Sequence, residues 1–84
     1  MKVLKFYADW CGPCKALSSV IDEYYTLQIP VENIDIDKNR DAAIQYGVRS
    51  VPTCVVVDEN GTELRRKVGM MMIDQFENFV KGTE

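Results

Sequence analysis

Two cysteines three residues apart, placed where a strand pattern gives way to a helical one, restrict this chain more than any other feature. Lys2 to Ala8 (KVLKFYA) is short, nearly all apolar and rich in strand formers, which predicts a buried strand. From Cys11 to about Leu27, the residues Ala16, Leu17, Val20, Ile21, Tyr24 and Leu27 recur at three- and four-residue steps, which predicts a helix. Pro13 fits the first turn, where a missing N–H removes no intrahelical bond. Cys11 and Cys14 then lie on one face of that turn, close enough to bridge. The unpaired N–H groups and the positive end of the helix dipole favour a thiolate at the first position. Cys11, at an exposed helix start, is therefore expected to be the nucleophile, and Cys14 the residue that closes the disulfide. Gly12 and Pro13 restrict the turn between them.

Other chemistry is limited by what the sequence lacks. Among its 84 residues there is no histidine, which excludes imidazole bases, Ser-His-Asp triads and His-metal sites. A zinc or iron–sulfur site needs about four ligands, and the only further sulfur ligand of the usual kind is Cys54. Three cysteines are also an odd number for a secreted disulfide framework. Ten Lys+Arg against thirteen Asp+Glu give a net charge of −3, with no basic excess to gather phosphates, so no nucleic-acid partner is expected. The longest nearly apolar stretch, Val51 to Val57, falls far short of the roughly 20 residues of a membrane span. Lys5 and Asp9 interrupt the N-terminal apolar run, and it reads as the first strand of a cytoplasmic protein rather than a signal peptide. No membrane partner is expected.

Further along, Pro30 halts helical structure, and Val31 to Asp37 (VENIDID) alternates as a half-exposed strand. Arg40 to Tyr46 predicts a short helix, with Asn39 as N-cap and Gly47 closing it. Thr53 to Val57 (TCVVV) predicts a second buried strand, Asp58-Glu59-Asn60-Gly61 a hairpin turn using positive φ at Asn-Gly, and Thr62 to Val68 the return strand. Ile73 to Lys81 predicts a last helix, with Ile73, Phe76, Phe79 and Val80 inward. The order βαβαββα makes an α/β fold in one domain over residues 1–84. Its first two strands are parallel through a crossover and its last two form a hairpin.

Trp10-Cys11-Gly12-Pro13-Cys14 matches the active-site pentapeptide of the thioredoxin family, and the rest of the chain also resembles that family. Phe6-Tyr7-Ala8-Asp9 leads into the motif and Lys15 follows it. Val51-Pro52-Thr53 resembles the family loop whose cis proline faces the dithiol. Gly69, after Lys67-Val68, resembles the glycine that lets a substrate backbone approach, and Asn60-Gly61 the hairpin turn. The resemblance implies a thioredoxin-like four-stranded mixed sheet flanked by helices. It also implies substrate contacts at Trp10, Gly12, Pro13, Val51, Pro52 and Gly69. Two departures stand out. The sequence given starts at the strand that carries the motif, where the family has a leading strand and helix, so a minimal thioredoxin is expected, with Val31–Asp37 as a polar sheet edge. Lys5 also occupies the position, six residues before the first cysteine, where the family usually carries a buried Asp.

Lys5 and Asp9 are accordingly candidate modulators of the dithiol. A buried, charged Lys5 would favour thiolates, and a neutral one could accept a proton. The expected arrangement packs the stem and lets the ammonium reach solvent or Asp35. Cys54 is expected to be a buried, inert thiol, with a regulatory role as the alternative. Met70-Met71-Met72 reads as core or loop filling rather than a contact surface. Tyr24, Tyr25 and Tyr46 read as helix-packing rings with wet hydroxyls. Glu63, Arg65, Arg66 and Lys67 read as a solvated strand face.

The expected function is that of a thiol–disulfide oxidoreductase, a protein-disulfide reductase cycling Cys11 and Cys14 between dithiol and disulfide. It needs no bound cofactor. The resemblance implies disulfide-containing protein substrates and thioredoxin reductase as donor, and the chain is expected to be a monomer. Two rivals are a glutaredoxin-like protein reduced by glutathione, and a binding subunit of a larger complex whose redox chemistry is incidental.

Overall fold

The computed structural model describes residues 1–83. Its first strand, β1 (Lys2–Tyr7), carries apolar residues on both sides because both sides are covered. It runs parallel to β2 (Val31–Asp35) and antiparallel to β3 (Thr53–Val57), which pairs antiparallel with β4 (Glu63–Val68). The sheet is mixed and four-stranded, in the order β2-β1-β3-β4, so β2 lies at an edge as expected. Helices α1 (Gly12–Tyr24) and α3 (Ile73–Lys81) pack on one face, and α2 (Arg40–Gln45) packs on the other.

Strand alternation separates two cores. Val3, Cys54 and Val56 meet Leu17, Ile21, Met71, Phe76, Phe79 and Val80 on the α1/α3 face. Leu4, Phe6, Ile34, Val55 and Val57 form the other, against Ala42 and Tyr46 of the α2 segment. Burial of a side chain such as Phe76 is worth about 1.5–3 kcal/mol, so the short chain relies on both faces of one sheet. Met71 belongs to the core, whereas Met70 and Met72 are exposed.

Several element ends differ from the sequence expectation. α1 stops at Tyr24, not Leu27. Tyr25 turns extended, stacks edge-on against Phe76, and donates its hydroxyl to the Ile29 carbonyl at 2.6 Å. Thr26 donates its N–H and hydroxyl to Glu77, so Leu27 reaches the core from irregular backbone that mimicked helical spacing. β1 ends one residue before Ala8, and β2 ends at Asp35, whose carboxylate accepts the N–H groups of Asp37 and Lys38. In the β3–β4 turn, Gly61 has φ +81° but Asn60 does not enter the positive region. The turn is instead organised by the Asp58 carboxylate, which accepts the N–H groups of Asn60 and Thr62. Thr62 therefore precedes β4, and the register shifts at Val56/Val57.

The charged residues of β4 are not simply solvated. Arg65 donates to the Phe79 and Val80 carbonyls at 2.7 and 2.6 Å, closing the end of α3. Arg66 binds the Glu63 carboxylate and the Tyr46 carbonyl. Nor are the tyrosines uniform: Tyr24 is exposed, while Tyr46 donates its hydroxyl to the Gly61 carbonyl at 2.8 Å.

Candidate active site

The end of β1, the start of α1 and the loop before β3 converge on Cys11 and Cys14. Cys11 is the N-cap of α1, in extended conformation (φ −93°, ψ 108°), and Pro13 occupies the first turn, where its lack of N–H is harmless. Cys11 is held in place by its N–H to the Ala8 carbonyl at 3.1 Å. The two sulfurs are joined in a disulfide, with the α-carbons 5.3 Å apart. The Cys14 N–H donates to Cys11 Sγ at 3.1 Å. That bond would remain as a charge-assisted one to a Cys11 thiolate, and no acidic residue in the first turn of α1 opposes it.

Accessibility does not separate the cysteines, contrary to the expected exposure of Cys11: they are 4% and 2% exposed. Their difference lies in position on the helix. Cys11 Sγ accepts the Cys14 N–H at the helix start, whereas Cys14 lies inside the first turn; both pack with Ala8 against Tyr7, Ile36 and Val51.

Val51 and Pro52 lie beside the dithiol. Cys11 Sγ is 3.7 Å from the Val51 carbonyl oxygen, and the Val51–Pro52 bond is cis, as the resemblance implies. The Pro52 carbonyl accepts the Gly69 N–H at 2.8 Å, and the Thr53 hydroxyl donates to the Ser50 carbonyl at 2.7 Å, tying the loop on both sides. Gly69 has φ +101°, a conformation that disfavours a Cβ even though space there is open. Gly12 and Pro13 are exposed. Trp10 is 69% exposed and donates its indole N–H to Asp37 at 3.1 Å. Asp9 is exposed, and no hydrogen bond or ion pair joins it to the cysteines.

Lys5 departs from the expected arrangement. Its side chain does not reach solvent or Asp35; the residue is 3% exposed, and its Nζ donates to Ser18 Oγ. β1 pairs it with Asn33 on one side and Cys54 on the other. Burial holds the Lys5 ammonium below its ordinary range, partly countered by Cys54 and Asp22. Burial likewise pushes the Cys54 thiol up to about 12, which leaves it protonated and unreactive near neutral pH.

Ser18 and Asp37 belong to no motif in the sequence, yet the fold brings both to the site. A signal for Ser18 was present, since it stands four residues after Cys14 on α1. Asp37 pairs with Trp10 only through the fold, 27 residues away.

A family model described as thioredoxin matches residues 1–82. The chain belongs to the thioredoxin family. A thioredoxin from Haemophilus influenzae is 35% identical over 81 residues, covering 93% of this chain and 75% of that protein. One from Borreliella burgdorferi is 37% identical over 82 residues, covering 94% and 69%. The solved structure of a mutant thioredoxin from Halobacterium salinarum superposes with a TM-score of 0.85 at 37% identity, covering 98% of this chain and 74% of that one. With the Cys11–Cys14 pair in bridging position, the chain is a thiol–disulfide oxidoreductase of the protein-disulfide reductase type. Membership in the thioredoxin family implies disulfide-bearing protein substrates and a reductase partner. No helix among the described residues is long and apolar enough to cross a membrane.

Proposed function

We propose that Cys11 is the attacking thiol and Cys14 the resolving one, in a thioredoxin-type carrier that a thioredoxin reductase reduces. A Cys11 thiolate attacks a substrate disulfide and forms a mixed disulfide with one substrate sulfur. Cys14 then attacks the Cys11 sulfur, the substrate leaves as a dithiol, and the Cys11–Cys14 bond forms. The observation that carries this assignment is the N-cap position of Cys11, whose sulfur accepts the Cys14 N–H.

Trp10, Gly12, Pro13, Val51, Pro52 and Gly69 form the substrate contact surface in this reading. The exposed indole, the exposed Gly-Pro turn and the tied Val51–Pro52 loop beside Cys11 support it. The chain acts as one domain, a cytoplasmic monomer. The polar side chains of the β2 edge support the monomer, and a cysteine set unlike a secreted framework supports the compartment.

Two measurements test the proposal. Cys14→Ser should accumulate mixed disulfides on Cys11, readable by mass spectrometry, whereas Cys11→Ser should trap none; adducts on Cys14 would reverse the assignment. In coupled assays, NADPH with thioredoxin reductase should reduce the protein faster than glutathione with glutathione reductase. The opposite preference would overturn the proposed donor.

A further inference from the structure

Between β1 and α1 lies a buried ammonium with no bonded counter-ion. Among the described residues Lys5 is the one buried lysine, and no ion pair involves it. Its Nζ donates to Ser18 Oγ. Ser18 follows Cys14 by four residues within α1, so the two side chains stand one turn apart on the same helix face, with Cβ positions about 5–6 Å apart. The Lys5 amine is thereby anchored on the turn of α1 that follows Cys14.

Its other neighbours do not neutralise it. On β3 the opposing group is Cys54, a thiol whose burial keeps it protonated. On the far side of Cys54, the register position on β4 is Lys67, which is not an anion. β2 offers Asn33, which carries no charge. Asp22, one turn beyond Ser18 on α1, acts only at a distance. A buried cation without a bonded anion is costly, and a negative charge forming nearby relieves that cost. The disulfide offers no such charge. The reduced dithiol does, once a thiol ionises.

We infer that Lys5, anchored by Ser18, is a positioning residue for the dithiol that favours the thiolate of Cys14 and shifts the redox equilibrium toward the reduced form. The inference rests on the assignment of Cys14 as the resolving thiol. In the resolving step the Cys14 thiol gives its proton to water, and Lys5 stays protonated. The Cys14 thiolate bonds to the Cys11 sulfur, the Cys11–substrate bond breaks, and the substrate sulfur leaves as a thiolate that takes a proton from solvent. The two electrons gained by the substrate disulfide come from the Cys11 and Cys14 thiolates. Because the ammonium lowers the energy of the ionised reduced form and not of the disulfide, it makes this protein a weaker reductant than one with a neutral residue at position 5.

The test compares the parent with Lys5→Met and Ser18→Ala, each equilibrated in glutathione redox buffers at a pH above the thiol titrations of all three proteins. Thiolate absorbance of the reduced proteins is followed against pH. Lys5→Met should move the exchange equilibrium about tenfold toward the disulfide, or about 30 mV, and raise the thiol titrations by about one pH unit. Ser18→Ala should shift the equilibrium about threefold in the same direction. A change under twofold in Lys5→Met, or a shift toward the dithiol, would overturn the inference. A shift in Lys5→Met with none in Ser18→Ala would overturn the part given to Ser18. If Lys5→Met does not fold, the Ser18→Ala equilibrium decides alone, since alanine is favourable within a helix. A purely packing role for Lys5 would lower thermal stability and leave the thiol titrations unmoved. Reduction of insulin by the parent, with dithiothreitol as donor, checks the underlying reading separately. An inactive parent defeats the functional assignment, whereas an active parent with an unmoved Lys5→Met equilibrium defeats only this inference.

Discussion

At the scale of single residues, one sheet row holds three groups whose properties depend on burial. Cys54 lies between Lys5 and Lys67, yet the loss of solvent outweighs the cation beside it, and its thiol rises from 9.0 to about 12. That shift makes stability depend on pH with a definite sign. An unfolded chain ionises Cys54 above about pH 9 while the folded chain keeps it protonated. The folded state therefore binds more protons, and its stability falls as pH rises from about 9 toward 12. In the oxidised protein Cys54 is the one free thiol, so the effect can be isolated. Between pH 8 and 10.5, urea unfolding of the oxidised parent should lose about 2 kcal/mol relative to Cys54→Ala, at about 1.4 kcal/mol per pH unit beyond pH 9. The contribution of Lys5, present in both proteins, largely cancels in that difference. Equal pH dependence of parent and variant would show that Cys54 ionises as easily folded as unfolded.

Among the elements, α3 depends on a side chain that local pattern could not assign. Arg65 caps the helix by donating to the carbonyls of Phe79, which also accepts the Gly82 N–H at 3.2 Å, and of Val80. Gly82 ends the helix in the left-handed region (φ +79°), and a Cβ there would stand 3.0 Å from the guanidinium. Arg65→Leu should cost about 1.5–3 kcal/mol by urea unfolding, in the range of hydrogen bonds to charged groups. Gly82→Ala should cost about 1–2 kcal/mol through backbone strain and by displacing the guanidinium. Because both changes disturb one cap, the double variant should lose less than their sum. Additive losses would mean the two features act independently. This arrangement also marks the limit of what the sequence disclosed. Strand composition, the Cys-Gly-Pro-Cys turn, Asn39 before α2 and the apolar stripe of α3 are local signals, and the elements they predict are present. The Val-Pro-Thr loop was legible through family resemblance. The partners of Arg65, Lys5 and Trp10 lie 13 to 27 positions away, so an alternating charge run looked solvated and a buried lysine looked surface-bound. The end of α1 is masked in the sequence for a related reason. Leu27 keeps a helical interval, but the hydroxyl of Tyr25 closes onto the Ile29 carbonyl and the backbone leaves the helix.

For the whole molecule, the two faces of the sheet are unequally covered, and that inequality sets where the fold opens. α1 contributes Cys14, Leu17 and Ile21 to buried positions and α3 contributes Phe76, Phe79 and Val80, whereas the six residues of α2 contribute none that is fully buried. α2 is held at its ends instead, by the Asn39 side chain accepting the Ala42 N–H and by Tyr46 bonding to Gly61 and Arg66. Few buried apolar contacts and a short hydrogen-bonded ladder are the conditions for local opening at low free energy. The dithiol is mounted differently, between β1 and α1, the two elements that share the larger core. Opening of α2 should therefore leave the disulfide chemistry intact. Hydrogen exchange followed by mass spectrometry should find α2 amides exchanging at least about a hundredfold faster than those of β1 and β3. Ala43→Gly, which adds about 1 kcal/mol of helix cost, should speed α2 exchange about fivefold. The same variant should keep the parent's equilibrium with glutathione, because neither the N-cap at Cys11 nor the Lys5–Ser18 bond depends on α2. If α2 exchanged as slowly as the central strands, the two faces would open as one unit. If Ala43→Gly moved the redox equilibrium, α2 would have to be counted as part of the support of the dithiol, acting through Ile36 and Val51, which touch both the second core and the cysteines.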